Sequence, residues 1–125
     1  MINVSKNSEP LDLSYLREMS GDSPEFIIEM IDLFKSQTPI YMDELKTAIA
    51  DQDWDKVAAC AHKIKPTFTY VGREDAKDHM QDMEQNAREK INTQQLAGDY
   101  QEVNDFTSLL YQQLDLAKAD LQKLI

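Results

Sequence analysis

One cysteine stands among the 125 residues, so no internal disulfide can form. Glycine occurs three times and proline four times, while Leu, Met, Gln, Lys, Glu and Ala, all good helix formers, are plentiful. Period-two alternation of useful length is absent, as are internal repeats and low-complexity tracts. Basic residues are scarce: 13 Lys and Arg against 23 Asp and Glu give a net charge of −10. Such a surface repels nucleic acid and anionic lipid, and favours a partner that docks through apolar and local polar contacts. No run approaches the roughly 20 apolar residues of a membrane span, and MINVSKNSEP lacks a signal-peptide core. These absences leave an all-α protein expected in the cytoplasm, with no direct membrane insertion. At 42% hydrophobic residues, the 125-residue chain suffices for one domain over 1–125 with one core.

Residues 1–10 are polar and read as a loose leader. Leu13, Leu16 and Met19 then share one side of a short helix over about 11–20, ended by Gly21. Asp22 or Ser23 caps the next helix, with Pro24 in its first turn and Glu25 completing a capping box with Asp22. Its apolar period (Phe26, Ile27, Met30, Ile31, Phe34, Tyr41, Leu45, Ile49) runs to about 51. Pro39 interrupts it, which predicts one kinked helix or two helices meeting near 37–39; the unbroken apolar phase favours the first. Asp53 is the expected cap of a third helix, whose first residue, Trp54, closes the end of a core. Gly72 terminates that helix. A fourth follows, with Ala76, Met80, Met83, Ala87 and Ile91 as its stripe and His79 a partly buried or surface histidine beside it. A polar connection over 92–97 leads to a last helix opened by Gly98 and Asp99, with Asp99 and Glu102 as a second capping box. Val103, Phe106, Leu110, Leu114, Ala117, Leu121 and Leu124 form its stripe. The simplest packing is an antiparallel up-and-down four-helix bundle with a short extra N-terminal helix.

The third helix carries the feature that the rest supports. Wound at about 100° per residue, it gathers Val57, Cys60, Ile64, Phe68 and Val71 on one side, which makes Cys60 a buried small hydrophobe. Ala58, Ala59, His62, Lys65, Pro66 and Thr69 fall within roughly 60° of His62 on the other. An approachable imidazole thus has alanines one turn before it and a lysine one turn after.

Glycine-rich phosphate loops, Cys-x-x-Cys pairs, His-Glu-x-x-His and nucleophile-elbow motifs are all missing. Inward Glu-x-x-His sets of di-iron bundles are missing too. An exposed imidazole can still attack an activated phosphoryl group, because with an ordinary pKa of about 6.5 much of it is neutral at cytosolic pH. Lys65, on the same face, can offset phosphoryl charge. Ala58 and Ala59 leave room for another protein's active site. The chain has no cofactor of its own in this reading, and Mg2+ for the transfer is expected from the partner.

His62-Lys63-Ile64-Lys65, followed by Thr67 and Gly72, resembles the signature of histidine-containing phosphotransfer domains: His-x-x-Lys-Gly-Ser, then a later Gly. The resemblance extends to the helix order of essentially the whole chain. It implies a four-helix bundle passing phosphoryl groups between a histidine and receiver-domain aspartates of two-component relays. His62 matches the phosphoacceptor, Lys65 the lysine that assists it, Thr67 the serine and Gly72 the late glycine. Pro66 departs from the pattern, standing where the family has glycine. It also removes the amide that would bond the His62 carbonyl, so a bend is expected at the histidine.

The sequence thus predicts a monomeric phosphorelay carrier with no autonomous kinase or phosphatase activity. Its partners are response-regulator receivers and a hybrid histidine kinase, docking over Ala58, Ala59, Pro66 and Thr69. Two competing readings are a helical adaptor that carries no phosphate and the phosphoacceptor domain of a chemotaxis-type kinase.

Overall fold

The computed structural model describes residues 2–125, of Ser8 the backbone alone. Among them are five α-helices and two short 3-10 turns, Val4–Ser8 and Thr93–Gln95, with no strand. The helices are α1 (Ser14–Ser20), α2 (Pro24–Ala50), α3 (Trp54–Tyr70), α4 (Glu74–Glu89) and α5 (Leu96–Gln122).

Local chemistry sets most of these ends. Gly21, at φ +63°, stops α1, and Ser23 rather than Asp22 caps α2 by accepting the Phe26 N–H at 3.3 Å. Asp53 caps α3 by accepting the Lys56 N–H at 3.3 Å. Pro39 lies inside a single α2, whose apolar phase continues across it through Phe34, Thr38, Met42 and Leu45, all buried. The one-helix alternative therefore holds. A helical period maintained on both sides lets tertiary packing offset the backbone hydrogen bond that proline removes.

Polar contacts between helices show the topology. Asp32 and Lys35 of α2 pair with Lys118 and Asp115 of α5, and His62 and Lys65 of α3 meet Glu84 and Gln81 of α4, in both cases with numbering running in opposite directions. Helices α2 to α5 thus form the expected antiparallel bundle, with α1 as the extra N-terminal helix. Its core includes Leu16, Ile31, Leu45, Ile64, Phe68, Met80, Met83 and Leu110, with Phe68 edge-on to Phe106. Cys60 is buried in it, and burial, with the nearby Glu44 charge, pushes its thiol up and away from reactivity.

Met19, Ile91 and Leu124 are exposed, because α1, α4 and α5 leave the core or end at these positions. Helix α5 begins at Leu96, three residues before the expected capping box, and Gly98 lies within its first turn. Leu96 is fully buried, so packing fixes the start where no side-chain cap does. His79 is buried rather than partly exposed; its Nε2 donates to the Asp99 carbonyl at 2.8 Å and ties α4 to α5.

From Ile2 on, the leader is tied to the bundle. Ile2 is buried, its N–H donates to Glu102 at 2.8 Å, and the Asn3 N–H donates to Asp75 at 2.7 Å. The anchor is Arg73, a buried guanidinium that pairs with Asp75 at 2.9 Å, donates to the Asn7 side chain and the Asn3 carbonyl, and stacks over Phe106. Burial pushes Asp75 up, but its bonds from Arg73 and Asn3 and the Arg73 charge outweigh this and hold it at about 2. A carboxylate depressed on folding stabilises above its ordinary value near 4 and loses that contribution as pH falls towards 2. Stability from urea unfolding is expected to drop across this window by about 2 kcal/mol, and the drop should be missing from Asp75→Asn. A parallel acid profile in that variant would count against the cluster.

Candidate functional site

Helix α3 presents its polar side beside α4, and there the two helices build one cluster. His62 keeps 67% of its side chain exposed, yet Nδ1 lies 3.2 and 3.3 Å from the carboxylate oxygens of Glu84. Glu84 itself is only 3% exposed. Lys65 Nζ bonds Glu84 Oε1 at 3.0 Å and Gln81 Oε1 at 2.6 Å, and Arg88 Nη2 bonds Glu84 Oε2 at 2.7 Å. Three donors thus converge on one buried carboxylate, as such a charge requires.

The electrostatics follow from that convergence. Burial pushes the Glu84 carboxyl up, but the hydrogen bonds from Lys65 and Arg88, the Lys65 charge and the His62 bond together hold it below the usual carboxylate range. Ionised, it can only accept, so the His62 proton belongs on Nδ1. Nε2 is then left with its lone pair free on the solvent side of an exposed ring. A nucleophilic nitrogen in a fixed tautomer, with a lysine beside it, suits attack on an activated phosphorus. Counting a neutral imidazole, the cluster carries one unit of positive charge, on a chain whose net charge is −10.

The expected docking residues are distributed less simply. Ala59 and Pro66 are exposed and Thr69 is half-buried, but Ala58 is buried, at 5% exposure. Helix α3 packs against both α2 and α4, so its buried arc also takes in Ala58 and Ala61. Pro66 and Thr69 line a shallow cleft of about 290 Å³ with Tyr15, Lys65 and Gln81, next to the cluster. Helix α3 runs on through Pro66 to Tyr70. Gly72 lies outside the cluster, at φ +75°, packed on Asp12. Lys63 turns the other way, to Glu44 and the face of Tyr41.

Glu84, Gln81 and Arg88 were not among the residues expected at the site. A signal for Glu84 exists: its spacing from Met80, Met83 and Ala87 puts it on the apolar stripe of α4, where an unpaired carboxylate would be costly, and Arg88 follows at i+4.

In this bundle an exposed histidine on one helix meets a buried carboxylate on the next. Residues 29–124 match the family model described as the Hpt domain. The chain belongs to the Hpt domain family, and with it to proteins that act in histidine phosphotransfer within phosphorelays. No curated protein and no solved structure matches it. Among the described residues, no helix is long and apolar enough to cross a membrane.

Proposed function

We propose that His62 carries a phosphoryl group between receiver-domain aspartates in a two-component relay. The observation that carries this reading is the bond from His62 Nδ1 to the buried Glu84 carboxylate, which leaves Nε2 free and facing solvent. The Nε2 lone pair attacks the phosphorus of an aspartyl phosphate; the Nε2–P bond forms, the P–O bond to the aspartate breaks, and the aspartate leaves as carboxylate. The imidazole gains positive charge as this happens, and Glu84 offsets it through the Nδ1 proton. Lys65 lies beside the incoming phosphoryl oxygens and relieves their charge. Return of the group to a second receiver is the reverse reaction.

The receiver docks over Ala59, Pro66 and Thr69, and brings the magnesium ion that the transfer uses. The carrier acts in the cytoplasm as a monomer, with receivers and a hybrid kinase as its partners.

The test is incubation with phosphorylated receivers and magnesium, followed by mapping of the acid-labile label. Label on His62 is expected. Label on His79 or on a carboxylate, or partner binding with no transfer to any residue, would overturn the assignment, the last result in favour of a helical adaptor.

A further inference from the structure

We infer that Arg88 is a second phosphoryl-binding cation: once His62 carries its group, the Arg88 guanidinium donates to the phosphoryl oxygens alongside Lys65. The inference rests on the proposed loading of His62 and adds to it a residue that the family motif around the histidine does not contain.

Charge and geometry carry it. Glu84 has one negative charge and two cationic partners; Lys65 holds one oxygen, Oε1, and Arg88 the other, Oε2. Lys65 is half-buried and also bound to Gln81, so it is fixed in place. Arg88 is different. Its side chain is 63% exposed, and its only partner among the described residues is Glu84, reached through a single nitrogen. A guanidinium has five N–H donors, so most of its fork is available to an oxyanion. The bonds Arg88 to Glu84 to His62 place Nη2 no further than about 6 Å from the His62 ring. The His62 ring and the Arg88 side chain are both largely exposed, so neither a phosphoryl group on Nε2 nor the free part of the guanidinium is walled off from the other.

Arg88 sits in the last turn of α4, where a cation is favoured by the helix carbonyls, so the side chain has a reason to stay near its place without being locked. Glu84 bonds two cations and can offset only one unit of charge, so the resting cluster keeps one unit of positive charge. A dianionic phosphoryl group supplies the missing negative charge. Arg88 need not leave Glu84 to take part: one nitrogen stays on the carboxylate while others turn to the phosphoryl oxygens.

Phosphoramidate, a small-molecule donor, loads exposed histidines without any receiver, and 31P NMR then follows the last ionisation of the phosphoryl group against pH. A cation in contact favours the dianion, so Arg88→Ala is expected to move the midpoint up by about half a unit or more, a roughly three-fold change in the ionisation constant. Arg88→Lys restores most of the shift. Lys63→Ala, which alters a cation turned away from the cluster, leaves it unchanged. The same comparison in a Glu84→Gln background separates direct contact from an effect relayed through the carboxylate: the Arg88→Ala shift should persist there. An Arg88→Ala midpoint equal to the parent's, or a shift that vanishes with Glu84→Gln, would overturn the inference. Transfer from a receiver is measured separately, so failure of the carrier reading and failure of this titration are told apart.

Discussion

Glu84→Gln is expected to slow loading of His62 from a phosphorylated receiver on the order of 10²-fold, against complete loss in His62→Gln. The glutamine is nearly the same size, so the cleft and the α3–α4 packing stay, and what changes is charge. A carboxylate accepts from Nδ1 and holds the attacking nitrogen free; an amide can present either its oxygen or its NH2, and the second choice fixes the wrong tautomer. The variant also lacks the negative charge that offsets the imidazolium formed during attack. Lys65 and Arg88, which bond Glu84 at 3.0 and 2.7 Å, lose their common partner, so the charge partner of the phosphoryl group is less well placed. Initial rates of label uptake check this, with 15N NMR of the neutral ring reporting the tautomer: Nδ1–H in the parent, a mixture in the variant. A rate within about two-fold of the parent would mean that the tautomer lock is not used.

The same variant carries a stability signature with a defined sign. Glu84 is depressed below the usual carboxylate range in the folded protein, so its ionised form stabilises above the ordinary carboxylate value and loses that contribution as pH falls through the folded one. Glu84→Gln therefore lowers stability at neutral pH and flattens the acid limb. Coincident denaturation curves at pH 7 would count against a structural role for the cluster.

The bundle was legible because helices buried on one side write their period into the chain. In α3 and α4 the apolar positions named from spacing are nearly all buried, in α2 they are buried or half-buried, and Ser23, Asp53 and Gly21 mark ends with side chains or conformations that work locally. His62 was legible for the complementary reason, as a polar residue amid small ones opposite the stripe. Where ends depend on tertiary contact, spacing gave no hint. Leu96 starts α5 because it is buried, and Asp99 and Gly98, which look like a cap, are already inside the helix. Arg73 fastens the leader through contacts about seventy residues away in the chain, to Asn3 and Asn7. Glu84 is the most consequential omission. A single-helix wheel finds the outward face of α3 but not the rotation of α4 beside it, and the charge becomes acceptable only when Lys65 and His62 arrive from the other helix.

Gly72→Ala is expected to destabilise the fold by roughly 2–4 kcal/mol, a fall in melting temperature on the order of 10 °C. Two costs combine. At φ +75° an L side chain sits in the left-handed region, which costs about 1–2 kcal/mol. A methyl there would also stand 2.6 Å from both the Cβ and the carbonyl oxygen of Asp12. Neither is the end of a flexible side chain, so backbone must move, and overpacking of this kind costs about 1–3 kcal/mol. The turn cannot relax freely on its own side, because the Arg73 N–H bonds the Phe68 carbonyl at 2.8 Å and Arg73 is held by the leader. Strain therefore passes to Asp12, which accepts the Ser14 N–H at 3.0 Å at the start of α1. Helix α1 carries Tyr15, a wall of the cleft beside Lys65 that also packs on Tyr70. Thermal melts give the stability change, and chemical shifts of Tyr15 and Tyr70 report whether the disturbance reaches the cleft. A loss below about 1 kcal/mol would show that the segment at Asp12 moves aside at little cost, and that close packing at Gly72 does not fix α1 against the bundle.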